Sequence, residues 1–334
     1  MITIALFNNL GGVGKTTLAY HLAHMFPRLG YSILAVDLDP QANLTSAFFE
    51  DDTLERVWDE EVFGQTVLTC VQPILDGTGD IAAASPLRIS PRICLLCGDL
   101  GLSQFEDKLS ESWPKGFAND QAALRATSAF YRMIQDAGKT ASADVAILDV
   151  GPNLGAINRS ALLAADFLII PLAADLFSLQ GLKNLGPAVR HWRRLWTEML
   201  EKAKVSFPLP AGRMEPLGYV MLQHAVRADR PAKGYDRWLQ RVPGIYREFV
   251  LGEGAQGSLT TENYCLGTLR NYGSLMPMAQ EARKPMFDLS PADGAIGSHA
   301  QLVRVCERDF RQLAEAIALA SGLSASSEMA ASPE

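Results

Sequence analysis

The chain predicts one α/β domain built on a mostly parallel sheet covered on both faces. Two observations carry that expectation. Six short runs, Ile2 to Phe7, Ile33 to Val36, Ile93 to Leu96, Val145 to Leu148, Phe167 to Leu172 and Tyr219 to Leu222, are apolar at nearly every position rather than at alternate ones. Most of them are separated by segments of helical periodicity. A strand apolar on both sides is buried on both sides, and helices alternating with such strands supply the two covering layers.

Composition narrows the class. Of 334 residues, 48% are apolar and 20% charged, ordinary for a globular chain. The formal net charge of −7 excludes a uniformly basic nucleic-acid binder, so any anion-binding surface must be local. Residues 183–247 hold 13 basic and 5 acidic side chains, the one strongly basic stretch. Five cysteines without a secretory leader suit a reducing cytoplasm better than a disulfide framework. No apolar run approaches the roughly 20 residues that span a bilayer, so the protein is expected to be neither exported nor embedded.

The first strand leads straight into Leu10-Gly11-Gly12-Val13-Gly14-Lys15-Thr16-Thr17 and then the helical run LAYHLAHMF. Glycines let backbone N–H groups turn inward around phosphate oxygens, and the helix N-terminus adds partial positive charge. Lys15 is placed to reach the β- and γ-phosphates, Thr16 to hold Mg²⁺, and Thr17 to lie near the α-phosphate. The strict Walker pattern wants Gly where this chain has Asn9. The second strand ends in Asp37-Leu38-Asp39-Pro40-Gln41-Ala42-Asn43, two carboxylates at the edge where open α/β sheets bind ligands. The fourth run ends in Asp149, a carboxylate suited to the outer shell of Mg²⁺.

Later elements follow the same logic. Leu179, Leu182, Leu185, Val189, Trp192 and Trp196 step by three and four, predicting a helix from about Ser178 in which Gly186-Pro187 is a natural place for a kink. Val303, Cys306, Phe310, Leu313 and Ile317 predict another over about His299 to Ala320. Residues 1–322 are read as one domain with insertions near 50–125 and 207–262, and 323–334 as a flexible tail.

GGVGKTT, DLDPQANLT, DVGPNLG and NRSALLAADFLIIPLAADLFSLQGLKNL together resemble the ParA branch of the ParA/MinD family of deviant Walker A ATPases, with weaker similarity in ARKPMFDLSPADGAIG. The resemblance covers about residues 1 to 320. It implies a doubly wound P-loop NTPase fold, ATP with Mg²⁺ as cofactors, and an ATP-sandwiched homodimer. It also implies slow hydrolysis that switches binding to a surface such as DNA or membrane. By carry-over, Gly11 to Thr17 form the phosphate loop with Lys15 as its lysine and Thr16 as magnesium ligand. Asp39 positions the attacking water, Asp149 is the Walker B carboxylate, and Gln223 falls where family members contact adenine. The family's loop normally reads Lys-Gly-Gly, its first lysine reaching the partner's nucleotide, whereas this chain has Leu10. That departure puts fast hydrolysis in question and leaves nucleotide binding intact, and some cargo-positioning relatives also lack the lysine.

Lys183, Arg190 and Arg194 can share one helix face, joined by Arg193, with Arg227, Arg230, Lys233, Arg237 and Arg241 as a second basic cluster. Relatives that ride on the nucleoid touch DNA phosphates with such residues without reading sequence, the alternative being a solvated surface. Cys94 and Cys97 lie three apart on a strand, pointing to opposite faces, and His21 with His24 lack a third ligand, so neither pair is read as a metal site. The serine-rich acidic tail argues against membrane binding. The reading is a cytoplasmic, nucleoid-riding ATP switch that binds non-specific DNA and partitions a plasmid, chromosome or other cargo through a ParB-like or adaptor partner. The alternatives are a catalytically weak ATP-binding scaffold, and a metabolic enzyme of the same nucleotide-binding class.

Overall fold

The computed structural model describes residues 1–59, 65–222, 238–253 and 264–323. The chain runs β1 (Ile2–Leu6), α1 (Lys15–Arg28), β2 (Ile33–Asp37), α2 (Asn43–Phe48), α3 (Asp51–Trp58), α4 (Val67–Leu75), β3 (Leu87–Ser90) and β4 (Ile93–Leu96). It continues through α5 (Phe105–Gly116), α6 (Gln121–Thr127), α7 (Ala129–Ala141), β5 (Val145–Asp149), α8 (Ala156–Leu163), β6 (Phe167–Leu172), α9 (Leu176–Lys202), β7 (Glu215–Leu222) and β8 (Cys265–Leu269). Helices Leu275–Ala282 and Ser298–Ser321 follow. The strands form one sheet in the order β3-β4-β2-β5-β1-β6-β7-β8. All neighbours are parallel except β3 with β4.

The alternation of side chains along each strand divides the core in two. Ala5, Phe7, Leu34, Val36 and Leu148 face a layer containing α4 to α9. Ile4, Leu6, Ile33, Ala35 and Ile147 face the other, with α1, α2 and the two late helices. Cys94 belongs to the first layer and Cys97 to the second, the opposed orientation expected from their spacing. Two strands escaped the sequence reading for physical reasons. In β3 no residue is buried, and β8 contains Gly267 and is only partly covered, so neither has the continuous apolar run of a central strand.

The helix expected from Ser178 runs unbroken from Leu176 to Lys202, through Gly186 and Pro187. The absent side chain at Gly186 has a tertiary use. It lets segment Tyr246–Leu251 approach the helix, because a methyl group there would collide with the Phe249 carbonyl.

His21 is a core residue, and His24 is half-buried against Tyr20 and Phe48. His21 is 2% exposed and stacks on Phe310 at 4.9 Å. Its Nε2 accepts the Met286 N–H at 3.0 Å, so Nδ1 carries the proton and donates to the Thr17 carbonyl at 2.7 Å. One neutral imidazole therefore joins α1 to the segment between the two late helices. Burial pulls its pKa down to about 4, with the Thr17 bond opposing and His24 assisting. The unfolded chain, with an ordinary imidazole, takes up a proton first as pH falls. Stability from this group is thus complete above about pH 6.5 and lost as pH drops towards 4. Between pH 7.5 and 5 the loss is on the order of 2 kcal/mol. Urea melts at those two pH values are expected to differ by that much less in His21→Gln than in wild type. An unchanged difference refutes the assignment.

Candidate nucleotide site

Strand register builds the site. Leu6 of β1 pairs with Asp149 of β5, and Asp37 of β2 pairs with the same Asp149. The three strands therefore end level, and the loop after β1 leaves the sheet beside two carboxylates. Gly12 and Gly14 hold φ of 72° and 85°, the left-handed conformation that the loop requires and other residues resist. A side chain at Gly11 or Gly12 would meet nothing within 4 Å, so the outer surface of the loop is open. No side chain caps α1 at Gly14, which leaves the first-turn N–H groups of Lys15, Thr16 and Thr17 facing that opening. Val13 is buried and anchors the loop.

A cavity of about 700 Å³ lies over the loop, lined by Gly11, Gly12, Gly14, Lys15, Thr16, Thr17, Asp39 and Pro152 and by residues of helix Leu275–Ala282. A second, of about 410 Å³, adjoins it on the β7 and β8 side, between Gly12, Leu222, Leu269, Asn271, Tyr272 and Phe310. Gln223 lies outside the described residues, one position beyond the end of β7.

Lys15 is 7% exposed and its ammonium donates to the Leu10 carbonyl at 3.1 Å. Burial lowers its pKa, and the charges of Asp149 and Asp39 pull it back up. Asp149 is fully buried, and among the described residues neither carboxylate oxygen has a hydrogen-bond partner. Burial pushes its pKa well above the carboxylate range and nearby Asp37 adds to the rise, with the Thr16 hydroxyl and Lys15 opposing. Two orphaned carboxylate oxygens beside a threonine hydroxyl are what an oxygen-seeking cation such as Mg²⁺ requires. The residues present thus fit the ion that the motif implies.

Asp37 and Asp39 have separate tasks. Asp37 accepts from Thr45 N and Thr45 Oγ1, both at 2.8 Å, and from Asp39 N at 3.3 Å. Thr45 Oγ1 also receives Gly98 N–H at 2.7 Å, tying the loop after β2 to the end of β4. Burial raises Asp37 to about 6 in spite of these bonds. Asp39 is 7% exposed and lines the cavity, its Oδ1 accepting from Gln41 N at 3.0 Å. Asp37 thus organises the loop that presents Asp39. The sequence reading did not find the bracing by Thr45, nor that by Asn8, whose amide donates to the Pro171 carbonyl at 2.7 Å. Their partners lie 8 and 163 residues away, and no local pattern marks them.

The basic residues of α9 are less uniform than their spacing suggests. The guanidinium of Arg190 donates to the carbonyls of Phe249 and Val250, the latter at 3.0 Å. The Lys183 ammonium sits 5.3 Å from the Phe249 ring centre. Both are turned towards Tyr246–Leu251 rather than presented as a free stripe. Arg193 is half-buried, and Arg194 is exposed with Glu198 3.8 Å away. Arg227, Arg230, Lys233 and Arg237 lie outside the described residues. No helix among the described residues is long and apolar enough to cross a membrane.

Comparison with known proteins supplies the family. The AAA_31 family, described as an AAA domain, matches residues 1–202. The chromosome-partitioning ATPase Soj of Thermus thermophilus is 31% identical over 54% of this chain and 59% of its own length. Protein MJECL24 of Methanocaldococcus jannaschii is 26% identical over 73% of this chain and 82% of its own. Among solved structures, DIP2308 of Corynebacterium diphtheriae superposes with a TM-score of 0.73 at 25% identity, covering 96% of this chain and 98% of that one. An ATP complex of a substituted Cyanothece McdA shares the fold, with a TM-score of 0.60 at 17% identity over 97% of each chain. The chain therefore belongs to the AAA_31 family and is a ParA/MinD-like P-loop ATPase by fold and motif.

Proposed function

We propose that this protein is an ATP-dependent dimerising switch that partitions or positions a plasmid, chromosome or other cargo by binding DNA without sequence preference. The observation that carries the reading is the convergence, at the level ends of β1, β2 and β5, of Lys15, Asp39 and the partnerless carboxylate of Asp149. Support for the cargo comes from Soj, named a chromosome-partitioning ATPase. On this reading Lys15 leaves the Leu10 carbonyl for the β- and γ-phosphates. Thr16 and Asp149 would hold Mg²⁺, which would supply neutralisation of charge on the transferring phosphate. Asp39 Oδ1 accepts a proton of the attacking water. A ParB-like or adaptor partner would stimulate turnover, and the nucleoid would be the surface on which the dimer rides.

Leu10 tempers the rate. Its Cδ1 lies 3.4 Å from where a side chain at Gly181 of α9 would begin, so it packs on that helix. An aliphatic group cannot neutralise phosphate charge, and slow hydrolysis is the consequence. The same observation favours the second reading, an ATP-binding scaffold whose bound state alone is sensed by a partner.

Three outcomes are expected. Lys15→Ala should weaken ATP binding by more than about a hundredfold, or about 3 kcal/mol, in calorimetry. Equal affinity removes Lys15 from the phosphates. Asp39→Ala should keep ATP affinity within a few-fold while phosphate release drops on the order of a hundredfold or more. Wild-type turnover in that variant assigns the water to another residue. Duplex DNA binding measured by anisotropy should require ATP and weaken steeply with salt. Arg193→Ala with Arg194→Ala should lower affinity for every sequence alike and flatten the salt slope by about 2. Absence of binding at low salt in every nucleotide state refutes the DNA reading.

A further inference from the structure

Beyond the residues that the motifs single out, we propose that Asn158 is a second catalytic acceptor, holding the attacking water together with Asp39. The inference rests on the hydrolytic reading above. Asn158 lies in α8, 1% exposed, directly behind the loop that follows Asp149. Its amide nitrogen donates to the Gly151 carbonyl at 2.9 Å and to the Asn153 carbonyl at 2.8 Å, with Asn153 Oδ1 at 3.0 Å. Those bonds fix which end of the amide is oxygen, because rotating it would set Oδ1 against two carbonyls. The oxygen so oriented is buried and has no partner among the described residues.

What that oxygen borders is set by Gly151. A methyl group there would stand 3.4 Å from Asp39 Oδ1, 3.5 Å from Asn158 Nδ2, whose donors are already committed to the loop, and 3.6 Å from Asn158 Oδ1, so both acceptors edge the gap left by the missing side chain. A nucleophilic water has two protons and attacks through a lone pair. One acceptor leaves it free to swing, whereas two acceptors aim it. Asp39 takes the transferred proton, and Asn158, which cannot ionise, holds the other O–H. The water oxygen forms its bond to the γ-phosphorus, the bond from phosphorus to the bridging oxygen of ADP breaks with its electron pair, and inorganic phosphate leaves. An unsatisfied buried acceptor is unfavourable, and a bound water donor removes that cost.

Two substitutions test the assignment in the full chain with ATP and Mg²⁺. Asn158→Ala removes the acceptor. Gly151→Ala keeps it and fills the gap at ordinary van der Waals distances, without a left-handed φ to strain the backbone. Each is expected to lower phosphate release at least tenfold while the dissociation constant for a fluorescent ATP analogue and the ATP-induced rise in melting temperature stay within threefold and 2 degrees, roughly what an intact binding site implies. Wild-type turnover in Gly151→Ala overturns the inference, as does a parallel loss of nucleotide affinity in both variants, which marks the loop as structural. If Asn158→Ala fails to fold, Gly151→Ala decides alone. Wild-type protein that binds ATP and releases no phosphate overturns the hydrolytic reading itself, an outcome distinct from active wild type with unaffected variants.

Discussion

The site depends on two acids buried side by side. Parallel register sets Asp37 against Asp149 at the rim of an apolar sheet, where burial raises the cost of ionising both and Asp37 adds to that of Asp149. Burying charge is unfavourable unless partners compensate it, and the fold supplies partners unequally. Asp37 receives three hydrogen bonds and becomes a fixture of the loop after β2. Asp149 receives no hydrogen bond of ordinary geometry among the described residues, with the Thr16 hydroxyl beside it, and stays available to a cation. The buried lysine feels the charge of that acid, and the cavity above the loop is lined by Lys15, Thr16 and Asp39.

This asymmetry explains how much of the molecule was legible in the sequence. Six strands could be read because central parallel strands are apolar throughout, and the phosphate loop because glycine and lysine at fixed spacing serve a specific chemistry. The carboxylates announced themselves at strand ends. Their division of labour did not, since Thr45 in α2 and Gly98 after β4 carry no local signal, and only the fold brings them within bonding distance of Asp37's shell. β3 and β8 went unread because the edge of a sheet asks little of its side chains.

The basic stretch shows how far spacing alone can carry a reading. Helical spacing placed Lys183, Arg190 and Arg194 on one face, and α9 is indeed a helix. Spacing within one element says nothing about what packs against it. Segment Tyr246–Leu251 lies along that face, made possible by Gly186, and takes Arg190 as a strut for its carbonyl ends. A guanidinium is suited to either use, and only tertiary contact decides between them.

The placement of β1 has a consequence for how the chain is made. This strand sits at the middle of the sheet, yet Ile2 pairs with Val145 and Ile4 with Phe167. Neither neighbour exists when the first strand leaves the ribosome. At ordinary synthesis rates the apolar N-terminal segment waits on the order of ten seconds for β5 and β6, while α1 and β2 can form only loose local contacts with it. Closing so long a loop is entropically expensive and slow, and an exposed hydrophobic strand edge invites aggregation. The nascent chain is therefore most vulnerable between the synthesis of β1 and that of β5, and the central sheet assembles late and nearly at once when β5 and β6 emerge together.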